Sequence, residues 1–353
     1  MMLPGQMRKL IRSMVGKAIV PLALSSPALR SILQPVGLRA TQDFFGGRVA
    51  PVEFPDGSVC RMTHLDESYL AFQLFWYGGQ YYEPITRALV QELLRPGGVF
   101  IDIGAHVGFF SLTAAMTNPQ VQVIAFEPNP KNFRILKANL CANDINSVQC
   151  EPCAISDHNG METLYLANSD MSASLVQNFQ EKYTRSAGSV DVRVTSLDSY
   201  LSKFPARGPM VIKVDIEGHE PAFFKGATRT LETHHPDLIL EVLDTEDAEI
   251  VHQLRTLGYH FYSISDEGLV EATTPKLVKR FPFVFLNYLI SARPESEIQW
   301  LSACIKKRTE SIDLLRTSKH RPPESWPGLW DDAGGLTAKE APTGVLRSAT
   351  HSP

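Results

Sequence analysis

The stretch VFIDIGAHVGFFSL (residues 99–112) decides how the rest of the chain is read. Val99, Phe100, Ile101 and Ile103 make the short apolar run that a strand buried on both faces requires, interrupted only by Asp102. Gly104 and Gly108 follow, and SLTAAMT (residues 111–117) has helical character. A strand, a glycine-bearing turn and a helix bring backbone close to a ligand. A turn built for a pyrophosphate would read G-x-G-x-x-G and use backbone amides and a helix N-terminus as its cradle. Here the pattern is D-x-G-x-x-x-G, and a carboxylate at that place repels a phosphate and attracts a cation.

Working outward, apolar runs alternate with amphipathic ones. QVIAFEPN (122–129) reads as a strand and PKNFRILKANLCAND (130–144) as a helix with Phe133, Leu136 and Leu140 on one face. SVQCEPCAISD (147–157) is a third strand, and DVRVTSLDSYLSKF (191–204) a short strand and a helix. MVIKVDIEG (210–218), PDLILEVLD (236–244), YHFYSIS (259–265) and FVFLNYLI (283–290) complete the strands, with helices over 221–234 and 248–258. This alternation predicts an α/β fold, a mostly parallel sheet with helices on both faces. Ligands of such sheets sit outside the carboxyl ends of the strands, where the strand order reverses. The acid-and-glycine clusters fall at those ends.

With 44% hydrophobic and 20% charged residues, the composition is that of an ordinary globular protein with a sizeable core. A net charge of -4 provides no basic field for nucleic acid. The five cysteines are sparse and odd in number, which suits reduced thiols and a cytoplasmic setting better than a disulfide framework. Cys150 and Cys153 form a C-x-x-C inside a strand rather than opening a helix, so two ordinary thiols are expected there. Before the first acid, Asp43, come Arg8, Lys9, Arg12, Lys17, Arg30 and Arg39 among apolar residues. Such a segment suits a helical extension packed on the domain or a helix lying on an anionic membrane surface, with a signal peptide a third reading. From Lys319 onward proline, glycine and small polar residues dominate, and a disordered tail is expected. Ile298, Leu301, Ile305, Ile312 and Leu315 before it mark an amphipathic helix.

S-adenosylmethionine has the chemistry the first turn asks for: a sulfonium, an ammonium and no phosphate. Glu127 ends the second strand, where an acid can accept hydrogen bonds from both ribose hydroxyls. Ser156 or Asp157, ending the third, could receive an adenine amino group. Asp215, Glu217, His219 and Glu220 crowd the end of the fourth strand, a costly grouping unless paired or used. Transfer of a methyl group to an alcohol needs alignment and a proton acceptor. His219 has the suitable intrinsic pKa, and Asp215 or Glu217 could orient the acceptor or act as base. A divalent metal on Asp215 and Glu217 is disfavoured, because only Glu241 or Asp244 offers a third carboxylate nearby.

In order along the chain, VFIDIGAHVGFFS, AFEPNP, AISDHNG and IKVDIEGHE resemble the FkbM family of S-adenosylmethionine-dependent methyltransferases, and YYEPITRALVQELLRPGG (81–98) is similar to the family's lead-in. The resemblance covers about 52–290. It implies a class I methyltransferase, Rossmann-like fold with a seven-stranded sheet whose last strand is antiparallel, and O-methylation of a small-molecule, sugar or lipid-linked hydroxyl. By the same resemblance Tyr82 and Glu83, from a lid segment, and Ala105 and Asn129 join Asp102, Gly104, Gly108, Glu127, Ser156 and Asp157 as cofactor contacts. The expected organisation is an N-terminal extension (1–50), a helical lead-in or lid (51–98), the core (99–290), the amphipathic helix (291–318) and the tail (319–353). A catalytically silent binding protein of the same fold and an N-methyltransferase are the alternatives. A nicotinamide-dependent oxidoreductase conflicts with Asp102.

Overall fold

The computed structural model describes residues 5–40, 42–80, 82–167, 173–177, 186–206, 208–241, 248–265, 267–275, 278–280, 283–285 and 287–319. The chain opens with α1 (Gly5–Ser25), α2 (Pro27–Ala40), a hairpin of β1 (Ala50–Glu53) and β2 (Val59–Met62), then α3 (Tyr69–Tyr77) and α4 (Pro84–Leu94). The alternating region begins with β3 (Val99–Ile103), α5 (Phe109–Thr117), β4 (Gln122–Phe126), α6 (Pro130–Ala142) and β5 (Gln149–Glu151). It continues through β6 (Cys153–Ile155), β7 (Gly160–Ala167), β8 (Ala173–Ser174), β9 (Ser186–Thr195), α7 (Leu197–Lys203) and β10 (Met210–Val214). After α8 (Glu220–Gly226), α9 (Thr228–His234) and β11 (Asp237–Glu241) come α10 (Ala248–Thr256), β12 (His260–Ser265) and β13 (Gly268–Ala272). A small hairpin of β14 (Val278–Arg280) and β15 (Phe283–Phe285), then β16 (Asn287–Ser291) and α11 (Glu295–Lys319), end the described chain.

The central sheet has the order β13-β12-β16-β11-β10-β3-β4-β5. Strands β3, β4, β5, β10 and β11 are parallel, and β16, the last, runs antiparallel to both its neighbours. This is the arrangement that the resemblance implies, with eight strands where seven were expected. The extra one, β13, folds back on β12 through a turn at Gly268, whose φ of +96° a glycine adopts without strain, and extends the edge.

The third strand also differs from expectation. SVQCEPCAISD is one run in the sequence but two strands in space: β5 joins the central sheet, while β6 pairs with β9 in a second, four-stranded sheet that includes β7 and β8. Pro152 lies between them, has no N–H for a ladder, and ends the pairing. Likewise DVRV belongs to a longer β9 in the second sheet, antiparallel to β7.

Strand alternation divides the core into two layers. Phe100, Val123, Val211, Ile239 and Leu289 face one layer, packed by α3, α4, α5, α6 and α11. Ile101, Ile124, Ile212, Leu240 and Tyr288 face the other, packed by α7, α8, α9 and α10. The N-terminal hairpin packs on the first layer: Ile19, Val20 and Ala23 are buried there, and Arg30 lies over the Phe75 ring. Gly37 allows α2 to close on Trp76, since a Cβ there would fall 2.3 Å from the indole. Trp76 itself is buried among Phe45, Phe72 and Phe75, a core aromatic rather than a platform for a sugar. Of the amphipathic helix residues, Ile298, Leu301 and Ile305 are buried on β13 and α4. No described helix is long and apolar enough to cross a membrane. The tail and Tyr81 lie outside the described residues.

Candidate active site

The chain moves outward from β3 to β4 and β5, then returns past β3 to β10 and β11, so the order reverses between β3 and β10. A cavity opens at the carboxyl ends of these strands, as such a reversal leads one to expect. Its floor comes from the turn after β3, where Gly104 has φ +81° and a Cβ would fall 1.9 Å from the Asp215 carbonyl oxygen. Only a glycine lets the β3 and β10 turns approach this closely.

Glu127, just past β4, is held by two backbone donors: His106 N–H to Oε2 at 2.7 Å and Asn129 N–H to Oε1 at 2.8 Å. Burial pushes its carboxyl up to about 8 in spite of those donors. Each oxygen keeps a lone pair for a ligand.

On the layer shared with α4 and α5, the strands change from apolar to ionic as they reach the cavity. Phe100 is followed two residues on by Asp102, Val211 by Lys213, and Ile239 by Glu241. Asp102 and Lys213 are register partners in the parallel ladder, and Glu241 pairs with Asn287 of β16. Lys213, 2% exposed, donates to Asp215 Oδ2 at 2.8 Å and lies 4.7 Å from the centre of the Phe110 ring. Burial works against its charge, but Asp215, Glu83, Asp102 and Glu241 outweigh that and raise its pKa. Burial likewise opposes the charge of Asp215, yet Lys213 and a hydrogen bond with Glu241 hold it below the usual carboxylate range. Glu241 is driven far the other way by burial and by Asp215. The two carboxyls titrate as a coupled pair, in which Lys213 favours the anion on Asp215 and burial favours the proton on Glu241.

Glu83 caps α4 in the left-handed region at φ +39°, and Asn287 Nδ2 donates to its Oε2 at 2.7 Å. Burial raises the Glu83 carboxyl, and burial with the neighbouring Glu83 raises the Tyr82 phenol. Tyr82 lines the cavity with its ring edge-on to Phe109 at 5.4 Å.

Tyr82, Gly104, Glu127, Asp215, Glu217 and His219 thus meet at one cavity. Others expected as contacts do not line it. Asp102 is 1% exposed and turned into the core, accepting from Ser111 Oγ at 2.6 Å, because strand alternation aims it at α5 rather than at the turn. Ala105 is buried with its amide on the Phe126 carbonyl, and Gly108 caps α5. Asn129 caps α6, accepting from Lys131 N–H. Asp157 points to solvent beside His158, and Ser156 is bonded to Glu162. The cavity walls near them are instead Ala154 and Ile155 of β6, with Leu164 of β7, Ala173 of β8 and Leu175 just past it. Lys213, His106, Ser111, Glu162 and Asn287 were missed. A lysine inside a run buried on both faces was the one legible signal.

A family model described as "Methyltransferase FkbM domain" matches residues 102–261. That segment of the chain is similar to an FkbM methyltransferase domain. The cavity lies within that segment apart from Tyr82. The 31-O-demethyl-FK506 methyltransferase FkbM of Streptomyces tacrolimicus is 41% identical over 71 residues, 20% of this chain and 27% of that protein. The 2-O-methyltransferase NoeI of Sinorhizobium fredii is 27% identical over 158 residues, 42% of this chain and 64% of that one. The matches span about a quarter of the first relative's length and under two thirds of the second's. Among solved structures, a methyltransferase FkbM from Methylobacillus flagellatus matches with 18% identity and a TM-score of 0.39, over 63% of this chain and 52% of that one.

Proposed function

We propose that the chain is an S-adenosylmethionine-dependent O-methyltransferase acting on a hydroxyl of a small molecule or a sugar. The observation that carries this reading is the charge of the cavity. Its described lining holds the anionic Asp215, the Glu217 carboxyl, a Glu127 carboxyl that burial keeps largely protonated, and no lysine or arginine. Such a wall favours a cation and disfavours a diphosphate. The lining suits the rest of the cofactor as well: Glu127 has acceptors for a ribose diol, and Phe126, Pro128, Ala154, Ile155 and Leu164 offer an apolar slot for a purine. When bound, S-adenosylmethionine supplies an electrophilic methyl group on a cationic sulfur.

The chain's own residues bind, orient and move a proton. Asp215, kept anionic by Lys213 and fixed by Glu241, opposes positive charge at the cavity floor. Glu217, in the left-handed region at φ +53°, is set in its turn by the Ser174 hydroxyl, which donates to its carbonyl at 2.7 Å. Burial lowers the pKa of His219 against the pull of Glu162 and Asp157, leaving a neutral imidazole that can take the acceptor's hydroxyl proton. A base so placed contributes about 10²–10⁴-fold, and alignment of the reacting atoms contributes more. The second sheet, with Leu164, Ala173 and Leu175, forms the wall that excludes water. Both named relatives are O-methyltransferases by their names, which supports an oxygen acceptor.

Calorimetry on the full chain tests the reading with S-adenosylmethionine, S-adenosylhomocysteine and NAD. Micromolar-range binding of the first two and none of NAD is expected; preference for NAD overturns it. Methyl-tritiated cofactor added to a cell extract then reveals the acceptor by its label.

A further inference from the structure

Ser156, just past β6 and 1% exposed, donates its hydroxyl hydrogen to Glu162 Oε1 of β7 at 2.8 Å. His219 Nε2 lies 3.0 Å from Ser156 Oγ. A serine hydroxyl has one hydrogen and two acceptor lone pairs, and a carboxylate can only accept. The serine hydrogen is therefore committed to Glu162. Nε2 must bring its own hydrogen and donate it to Ser156, and in the neutral ring the remaining lone pair belongs to Nδ1. That atom makes no hydrogen bond to the described residues.

We propose that Ser156 and Glu162 are positioning residues: the chain Glu162–Ser156–His219 fixes the imidazole in one tautomer and leaves Nδ1 as the atom that takes the proton of the methyl acceptor. This rests on the activity proposed above and assigns Ser156 a different task from adenine contact. When the acceptor's O–H bond breaks, its electron pair stays on oxygen, its hydrogen forms the Nδ1–H bond, and the ring becomes a cation. The Nε2–H bond to Ser156 persists, and the Glu162 carboxylate beyond it stabilises the new positive charge. Solvent water then accepts the Nδ1 proton. The other charged groups facing the ring are Asp157 and His158 from the segment between β6 and β7; Asp215, Glu217 and Glu220 flank it on its own segment. Burial keeps the resting ring neutral, the state that the chain of donors requires.

Long-range ¹H–¹⁵N spectra of the full chain with labelled histidine read the tautomer directly, the His219 signals being identified by their loss in His219→Asn. The expected wild-type ring is neutral and protonated on Nε2 at pH 7.5. In Ser156→Ala that preference is lost. In Glu162→Gln the tautomer survives, since the amide oxygen still accepts, but the titration midpoint moves to lower pH because the negative charge that stabilises the imidazolium is gone. S-adenosylhomocysteine affinity, measured beside it, stays near wild type in both variants. A wild-type ring protonated on Nδ1 overturns the proposal, as does a Ser156→Ala protein that keeps the wild-type tautomer and loses cofactor affinity. Should Ser156→Ala fail to fold, an unmoved midpoint in Glu162→Gln overturns it equally. Absence of all cofactor binding by the wild type overturns the proposed activity instead, whatever the tautomer.

Discussion

Two carboxylates show how far a residue's type falls short of its task. Asp102 and Glu127 both end strands beside the glycine turn, and both read as ligand contacts. Glu127 lines the cavity, but Asp102 is spent on Ser111 and the field of Lys213. Asp102→Ala is therefore expected to lower unfolding free energy by about 1–3 kcal/mol, the cost of a buried donor left unpaired, with affinity for S-adenosylhomocysteine close to wild type. Urea denaturation and calorimetry on the same preparation separate the two effects. For Glu127 the sign of the pH effect follows from burial. Its folded pKa, about 8, lies above its ordinary value of 4.5. Between those values the folded chain holds a proton that the unfolded chain has released, so this residue's contribution to stability falls as pH rises through that window. Glu127→Gln cannot titrate and should show a shallower loss between pH 5 and pH 8 in urea unfolding. Asp157 was legible as a strand-end acid, but nothing in its neighbours reveals that the strand has already left the central sheet at Pro152.

At the scale of elements, turns decide more than strands do. The β3 and β10 turns touch through Gly104, where a side chain meets backbone rather than a movable neighbour. Gly104→Ala adds a left-handed cost of about 1–2 kcal/mol to a clash with the Asp215 carbonyl, and should disturb both stability and cofactor binding. Gly108 has a similar φ of +88°, but a Cβ there meets only the tip of Leu136. Gly108→Ala is expected to cost less, and equal melting-temperature losses for the two would contradict this packing. The order of strands and helices was readable because apolar period switches cleanly between them. The second sheet was not, since its strands pair across long separations and their sequences differ little from those of the central sheet.

For the whole molecule, the N-terminal hairpin is part of the first core layer, contributing Ile19, Val20 and Ala23 and covering Trp76. Removing residues 1–40 should lower the melting temperature and expose an apolar face that binds a hydrophobic dye. An unchanged melting temperature would show that the hairpin adds nothing to the core. At the far end, α11 locks onto α4 through Arg308, which bonds Gln91 and the buried Glu92.

By itself the sequence determined the α/β class and the motifs that carry the resemblance, because hydrophobic periodicity and short glycine-acid patterns are local properties of a chain; the antiparallel last strand was implied by that resemblance. Together with the resemblance it also named six of the residues that line the cavity. Only the tertiary structure decided which acids face the ligand space, which one is neutralised by Lys213, and that Ser156 serves His219. Those outcomes depend on strand register and on burial, which set direction and charge through neighbours far away in sequence.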